Sequence, residues 1–188
     1  MDKRLPPGQE WIEEPLIYDI NKNFDAPKEE DIFLYVLGKV ENRLRIPYRE
    51  IKEADYLIEI EADFHCVTGW SVKDIRWKGV PSAYIIERAK PFESVKWVFV
   101  RCFDGYTTHF PFEYFKREDT LIALFMNGRV LPREHGYPMR IVVPSLYAWK
   151  SAKYVYSIEF LEEEEKIGFW EMRGYHPVGD PWREERYA

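Results

Sequence analysis

Cys66 and Cys102 are the two thiols of this 188-residue chain, and Cys66 stands where a thiol can act. From Tyr56 the residues alternate. Tyr56, Ile58, Ile60, Ala62, Phe64 and Cys66 share one face, and Glu59, Glu61, Asp63 and His65 the other. Cys66 thus ends a buried row where a strand over 56–66 gives way to the loop Val67-Thr-Gly-Trp-Ser71. Loops leaving strand ends are where sites concentrate. A buried free cysteine is ordinarily a small core hydrophobe. No second Cys or His stands at zinc-finger spacing, so a structural zinc lacks its ligands. A one-thiolate site stays open if a cofactor supplies the other ligands. Soft sulfur suits a polarizable transition metal, and the cation keeps the thiol ionised.

The elements that must position Cys66 are mostly strands. Segments 32–37, 56–66, 96–102, 120–126, 139–143 and 153–160 are short, rich in Val, Ile, Tyr and Phe, and bounded by Gly, Pro or Asp. Helices are expected over 82–89, 112–117 and 47–53, the first directly after Pro81. The physical expectation is an α+β fold in a single domain over 1–188, with 1–28 as an extended, proline-bearing arm. Aromatic residues make up 17% of the chain, which suits a packed core and excludes disorder. The net charge of −6 argues against a broad nucleic-acid surface, although local basic groups can still hold a small anion. No apolar run approaches the roughly 20 residues of a membrane span, and the N-terminus has no signal-like core. Two cysteines make no disulfide framework, so a reducing, cytoplasmic setting is expected.

Five segments in order carry a family resemblance. Phe64-His-Cys-Val-Thr-Gly-Trp-Ser71 is followed by Trp77-Lys-Gly-Val-Pro81 and Asp104-Gly-Tyr-Thr-Thr108. Then come His135-Gly-Tyr-Pro-Met-Arg-Ile-Val-Val-Pro144 and Tyr147-Ala-Trp-Lys-Ser-Ala-Lys153. From about residue 32 onward the chain resembles the oxidoreductase molybdopterin-binding domain of the sulfite oxidase superfamily. Sulfite oxidases, plant-type nitrate reductases and the catalytic subunits of bacterial methionine-sulfoxide reductases share that domain. The resemblance implies a fold of mixed β-sheets with short helices. It also implies a molybdopterin cofactor carrying molybdenum, with tungsten as the other metal to consider. A pterin dithiolene, one cysteine thiolate and oxo or water ligands complete the metal site. By position that cysteine is Cys66.

The family's cofactor-binding His and Arg match His135 and Arg140, and its downstream Lys matches Lys153, with Ser151 in the same loop. An Arg fork and a Lys point charge suit the phosphate of a pyranopterin. Lys150, Ser151 and Lys153 together offer ammonium, hydroxyl and backbone N–H groups. Without the resemblance, Arg140 reads as a strand residue in a surface ion pair and His135 as a satisfied turn histidine. Cys102 falls near a position where relatives contact the cofactor, and also reads as a core cysteine ending a strand. His65 flanks the implied ligand, and Asp104 sits in an ordinary Asp-Gly turn; both are weaker cofactor-binding candidates.

In the aromatic tail, Tyr175 falls where sulfite oxidases carry an active-site tyrosine, with Arg173 and His176 as secondary candidates. A phenol beside a metal-oxo centre can donate a hydrogen bond or relay a proton; a packing role in a capping tail is the other reading. Sulfite oxidases place basic residues shortly after the cysteine. Here Val, Thr, Gly and Trp follow Cys66, nearer the methionine-sulfoxide reductase pattern. The expectation is an enzyme performing two-electron oxo transfer on a small S- or N-oxide or oxyanion, served by a separate electron-transfer partner. The alternative is a pterin-binding module without turnover of its own.

Overall fold

The computed structural model describes residues 3–22 and 24–188. In chain order the strands are β1 (Glu10–Trp11), β2 (Phe33–Gly38), β3 (Leu44–Pro47), β4 (Ile58–His65), β5 (Trp70–Pro81), β6 (Trp97–Cys102), β7 (Thr107–Pro111), β8 (Leu121–Met126), β9 (Arg129–Val130), β10 (Arg140–Val142) and β11 (Val155–Leu161). Three short helices join them: α1 (Tyr48–Lys52), α2 (Ser82–Ala89) and α3 (Phe112–Phe115). Each helix begins directly after a proline in extended backbone, at Pro47, Pro81 and Pro111. Proline fixes φ there and ends the preceding strand without an N–H to satisfy.

The strands form two mixed sheets. One runs β3-β2-β11-β6-β7, with β11 parallel to β2 and antiparallel to β6. The other is built on β5, which pairs with β4 along most of its length, with β1 at its start and with β8 at its end. β10 and β9 extend it from β8. The α+β architecture of mixed sheets with short helices is the one expected.

β8 explains how the sheets meet. Its sequence Leu121-Ile-Ala-Leu-Phe-Met126 lacks polar alternation because both faces are covered. Ile122 and Leu124 enter the main core with Leu34, Val98, Ile158 and Phe160 of the other sheet. Leu121 and Ala123 face the opposite way, into a second core with Phe64, Cys66, Trp70 and Trp77. Cys66 therefore sits in the smaller core, beneath the turn from β4 to β5.

Two features depart from the expected pattern. The clean alternation over 56–66 breaks at a register shift between Ala62 and Phe64, so Phe64, His65 and Cys66 are all buried. The segment read as a loop after Cys66 is a tight turn followed by the longest strand, β5. Asp74 in left-handed backbone (φ 55°) and a second shift between Lys78 and Gly79 hide its period. In the arm, β1 is the one strand among the described residues before β2. No helix among the described residues is long and apolar enough to cross a membrane.

Candidate functional site

The β4–β5 turn holds Cys66 by both of its neighbours in sequence and by distant chain. Cys66 N donates to Trp70 O at 2.8 Å and Gly69 N to Cys66 O at 3.1 Å. Gln9 of the arm donates from Nε2 to Cys66 O at 3.0 Å, and its Oε1 accepts from Ser71 Oγ at 3.0 Å. Near the C-terminus, Arg186 Nη1 donates to Val67 O. The thiol itself meets Thr68 Oγ1 at 3.2 Å. Burial pushes its pKa up, with Thr68 and Arg186 opposing, so a free thiol is protonated here and a cation must be present to ionise it. Among the described residues no cluster of three or more His, Cys, Asp or Glu could hold a metal alone. A metal at Cys66 therefore needs most of its ligands from a cofactor.

Cys66 opens onto a cavity of about 610 Å³. Seven of the expected residues line it: Cys66, Asp104, His135, Arg140, Ser151, Lys153 and Tyr175. They come from five separate stretches of chain. Arg140 is buried at the start of β10 and lies with its guanidinium 5.1 Å from the ring centres of both Phe64 and Trp77. It donates to His135 O at 3.0 Å and to Ser151 O at 2.6 Å, while its Nε has no partner among the described residues. Burial lowers its pKa to about 10, which leaves it charged at neutral pH. Ser151 Oγ accepts from Val143 N at 2.9 Å, which ties the loop to β10. His135 is lowered by burial and then by Arg140, so it is neutral at pH 7. Burial raises Asp104, whose Oδ1 accepts from Tyr106 N at 3.0 Å.

Gly136 lets these pieces meet. Its φ is +116°, and a Cβ there would lie 3.0 Å from Lys153 Cβ and 3.1 Å from Arg140 Cβ. Tyr175 stacks on Trp170 at 5.2 Å and meets Trp149 edge-on at 5.2 Å, so its ring is fixed by packing.

Three expected cofactor contacts do not line the cavity. Lys150 is completely buried. Its Nζ donates to His109 O at 2.7 Å, Pro177 O at 2.7 Å and Glu171 Oε1 at 2.5 Å, which uses all three protons. It anchors the tail and has nothing left for a phosphate. Cys102 is packed in the main core, and burial raises its thiol well above the usual range. His65 lies on the other side of the bulged strand, in a shallow cleft with Asp63 and Trp182. Its Nδ1 lies 2.8 Å from Ser71 Oγ, which donates to Gln9, so His65 serves as the donor of that pair. Of the secondary candidates, Arg173 donates to Phe169 O at 2.6 Å and His176 Nδ1 accepts from Val178 N at 3.1 Å. Neither lines the cavity.

Sequence reasoning did not single out Gln9, Thr68, Tyr154 or the arm residues 15–22, although the arm lines the cavity from Pro15 to Lys22. The arm has no period, so nothing in it announces a wall. The thiol, the orphaned guanidinium nitrogen and Lys153 on one cavity fit a thiolate-bound metal carried by an anionic, ring-shaped cofactor.

A family model, oxidoreductase molybdopterin binding domain, matches residues 23–170. An uncharacterized oxidoreductase, YuiH, of Bacillus subtilis (strain 168) is 38% identical over 98% of this chain and 92% of its own length. A protein-methionine-sulfoxide reductase catalytic subunit, MsrP, of Burkholderia mallei (strain ATCC 23344) is 35% identical over 53% of this chain and 34% of its own. The chain thus spans about a third of that relative. A crystal structure of the sulfane dehydrogenase SoxCD from Paracoccus pantotrophus matches with a TM-score of 0.66 at 22% identity, over 74% of this chain and 40% of that one. That likeness is one of fold.

Proposed function

Because the chain belongs to the oxidoreductase molybdopterin binding domain family, we propose that its cavity seats molybdenum-pterin and that it transfers an oxygen atom from a small S-oxide. The chain is a molybdopterin-dependent oxidoreductase. The observation that carries the finer reading is one cavity shared by the Cys66 thiol, the unpartnered Nε of Arg140 and Lys153.

Cys66 supplies the thiolate. Arg140, His135 and the Ser151–Lys153 loop hold the pterin and its phosphate. When bound, the group supplies a metal centre that changes oxidation state by two electrons while an oxygen atom moves. Tyr175, held against Trp170, donates a hydrogen bond toward the substrate oxygen. Reducing a sulfoxide to a sulfide consumes two electrons and two protons and releases water. The electrons come from a separate redox partner. An S-oxide is favoured by the uncharged Val-Thr-Gly-Trp run after Cys66 and by relatives named as methionine-sulfoxide reductases. Both cysteines are free thiols, in keeping with a cytoplasmic setting.

The test is metal analysis with pterin fluorescence on purified protein, followed by dye-coupled turnover of S-oxides, N-oxides, nitrate and sulfite. Stoichiometric molybdenum and pterin with S-oxide reduction are expected. Tungsten would revise the metal, and pterin without turnover of any substrate would make the chain a binding module. Cys66→Ser should lower turnover by more than the roughly 100-fold that losing an outer-sphere hydrogen bond costs at a metal site. A fully loaded, fully active variant would overturn the ligand assignment.

A further inference from the structure

The chain lays its own arm along the cavity, and two adjacent residues of that strap fasten it. Tyr18 Oη lies 3.4 Å from Thr68 Oγ1, the hydroxyl that meets Cys66 Sγ. Asp19 Oδ1 accepts from Lys153 Nζ and, at 3.2 Å, from Tyr154 Oη. Tyr154 reaches it from left-handed backbone, with φ at 62°. The Lys153–Asp19 pair is largely dry, with side-chain exposures of 17% and 21%. The flanking residues are not: Leu16, Ile17 and Tyr18 are 55%, 51% and 56% exposed. Apart from its polar fastenings the strap buries little, which marks a segment of low local stability.

We propose that Asp19 is a placeholder. In the pterin-free chain its carboxylate takes the seat at Lys153 and Tyr154 that the phosphate of the pterin takes in the loaded chain. Residues 15–22 leave that seat to admit it. The inference rests on the reading of the cavity as a pterin site, and adds the loading step to it. Charge gives the reason. Three carboxylates, Asp19, Asp104 and Glu134, and three cations, Lys22, Arg140 and Lys153, line the cavity. A phosphate dianion entering a balanced cavity gains little. Withdrawing Asp19 frees Lys153 and leaves a net positive seat. Because a carboxylate and a phosphate compete for the same donors, only one of them can hold Lys153 and Tyr154 fully.

Inorganic phosphate tests this without any cofactor. On the pterin-free 188-residue chain, calorimetric titration should show Asp19→Asn binding phosphate roughly tenfold tighter than wild type, because a like charge is gone. Lys153→Met should bind none. In the unmutated chain, saturating phosphate should speed amide hydrogen exchange over residues 16–22 roughly tenfold or more, as the latch opens. Equal phosphate affinity in wild type and Asp19→Asn, or exchange of the strap unchanged or slowed by phosphate, overturns the placeholder. The exchange measurement needs no variant, so a misfolded Asp19→Asn does not leave the question open. A chain that never carries pterin refutes the functional reading separately, since the phosphate result does not depend on it.

Discussion

Lys150 gives all three of its protons to buried acceptors, while Lys153, one short loop away, holds its charge on the cavity wall. Replacing Lys150 by Met leaves Glu171 buried, with Thr108 Oγ1 and Trp149 Nε1 as its remaining side-chain donors among the described residues. Breaking one side of a buried pair costs about 3–5 kcal/mol. We expect Lys150→Met to lose that much in urea denaturation, and Lys150→Met with Glu171→Gln to recover part of it. Lys153→Met should cost clearly less than Lys150→Met, because its partner Asp19 sits on an exposed strap and can turn to water, yet it should lose most of its pterin, read by fluorescence of the oxidised cofactor. Equal destabilisation by both single variants would refute the division of labour. The sequence places both lysines in one basic loop and cannot say which turns inward. Three residues of 3-10 helix and the turn after it decide that, and they depend on where Glu171 docks. Cys66, His135 and Arg140 were legible because five segments in order carry the family resemblance, each too weak to do so alone. Gln9 and Asp19 were not, because each acts on a partner far along the chain.

Between elements, the site depends on how closely β10 and the loop before β11 approach. Gly136 is the point of contact, with both a left-handed φ and neighbours that crowd a Cβ, at 3.0 Å from Lys153 and 3.1 Å from Arg140. Gly128 offers the control: its φ of +76° is also left-handed, but a Cβ there meets nothing within 4 Å. Gly128→Ala should therefore cost only the backbone penalty, about 1–2 kcal/mol. Gly136→Ala should cost more in thermal denaturation and also reduce pterin content, because Arg140 and Lys153 must part. If the two variants behave alike, crowding at Gly136 plays no part in the site. The same scale shows why the fold was only partly readable. The helices after Pro47, Pro81 and Pro111 and the apolar run of β8 follow local rules. β5 was missed because Asp74 and the shift at Gly79 break its alternation, although it is the strand on which the sheet is built. Bulges are set by packing between strands, and a single strand's sequence does not declare them.

For the molecule as a whole, acid is the condition that should unfold it, and the histidines say why. Three of the four, His65, His109 and His135, are held below the ordinary value of 6.5, in each case first by burial. At His109 the hydrogen bonds fix the form. Nδ1 accepts from Gly168 N at 3.1 Å, so the proton sits on Nε2 and goes to Glu164 Oε1 at 2.7 Å. A second proton on Nδ1 would break the Gly168 bond next to the Lys150 charge. Each group therefore protonates in the unfolded chain before the folded one. As pH falls below the unfolded value of 6.5 the unfolded state binds more protons, so stability is full above that value and is lost below it. Thermal midpoints should hold between about pH 7 and 8 and fall steadily toward about pH 5. His109→Gln should flatten that acid slope, since an amide can accept from Gly168 without titrating. Parallel slopes in wild type and variant would mean that the acid sensitivity over this range comes from His65 and His135, which are also lowered by burial, and not from His109.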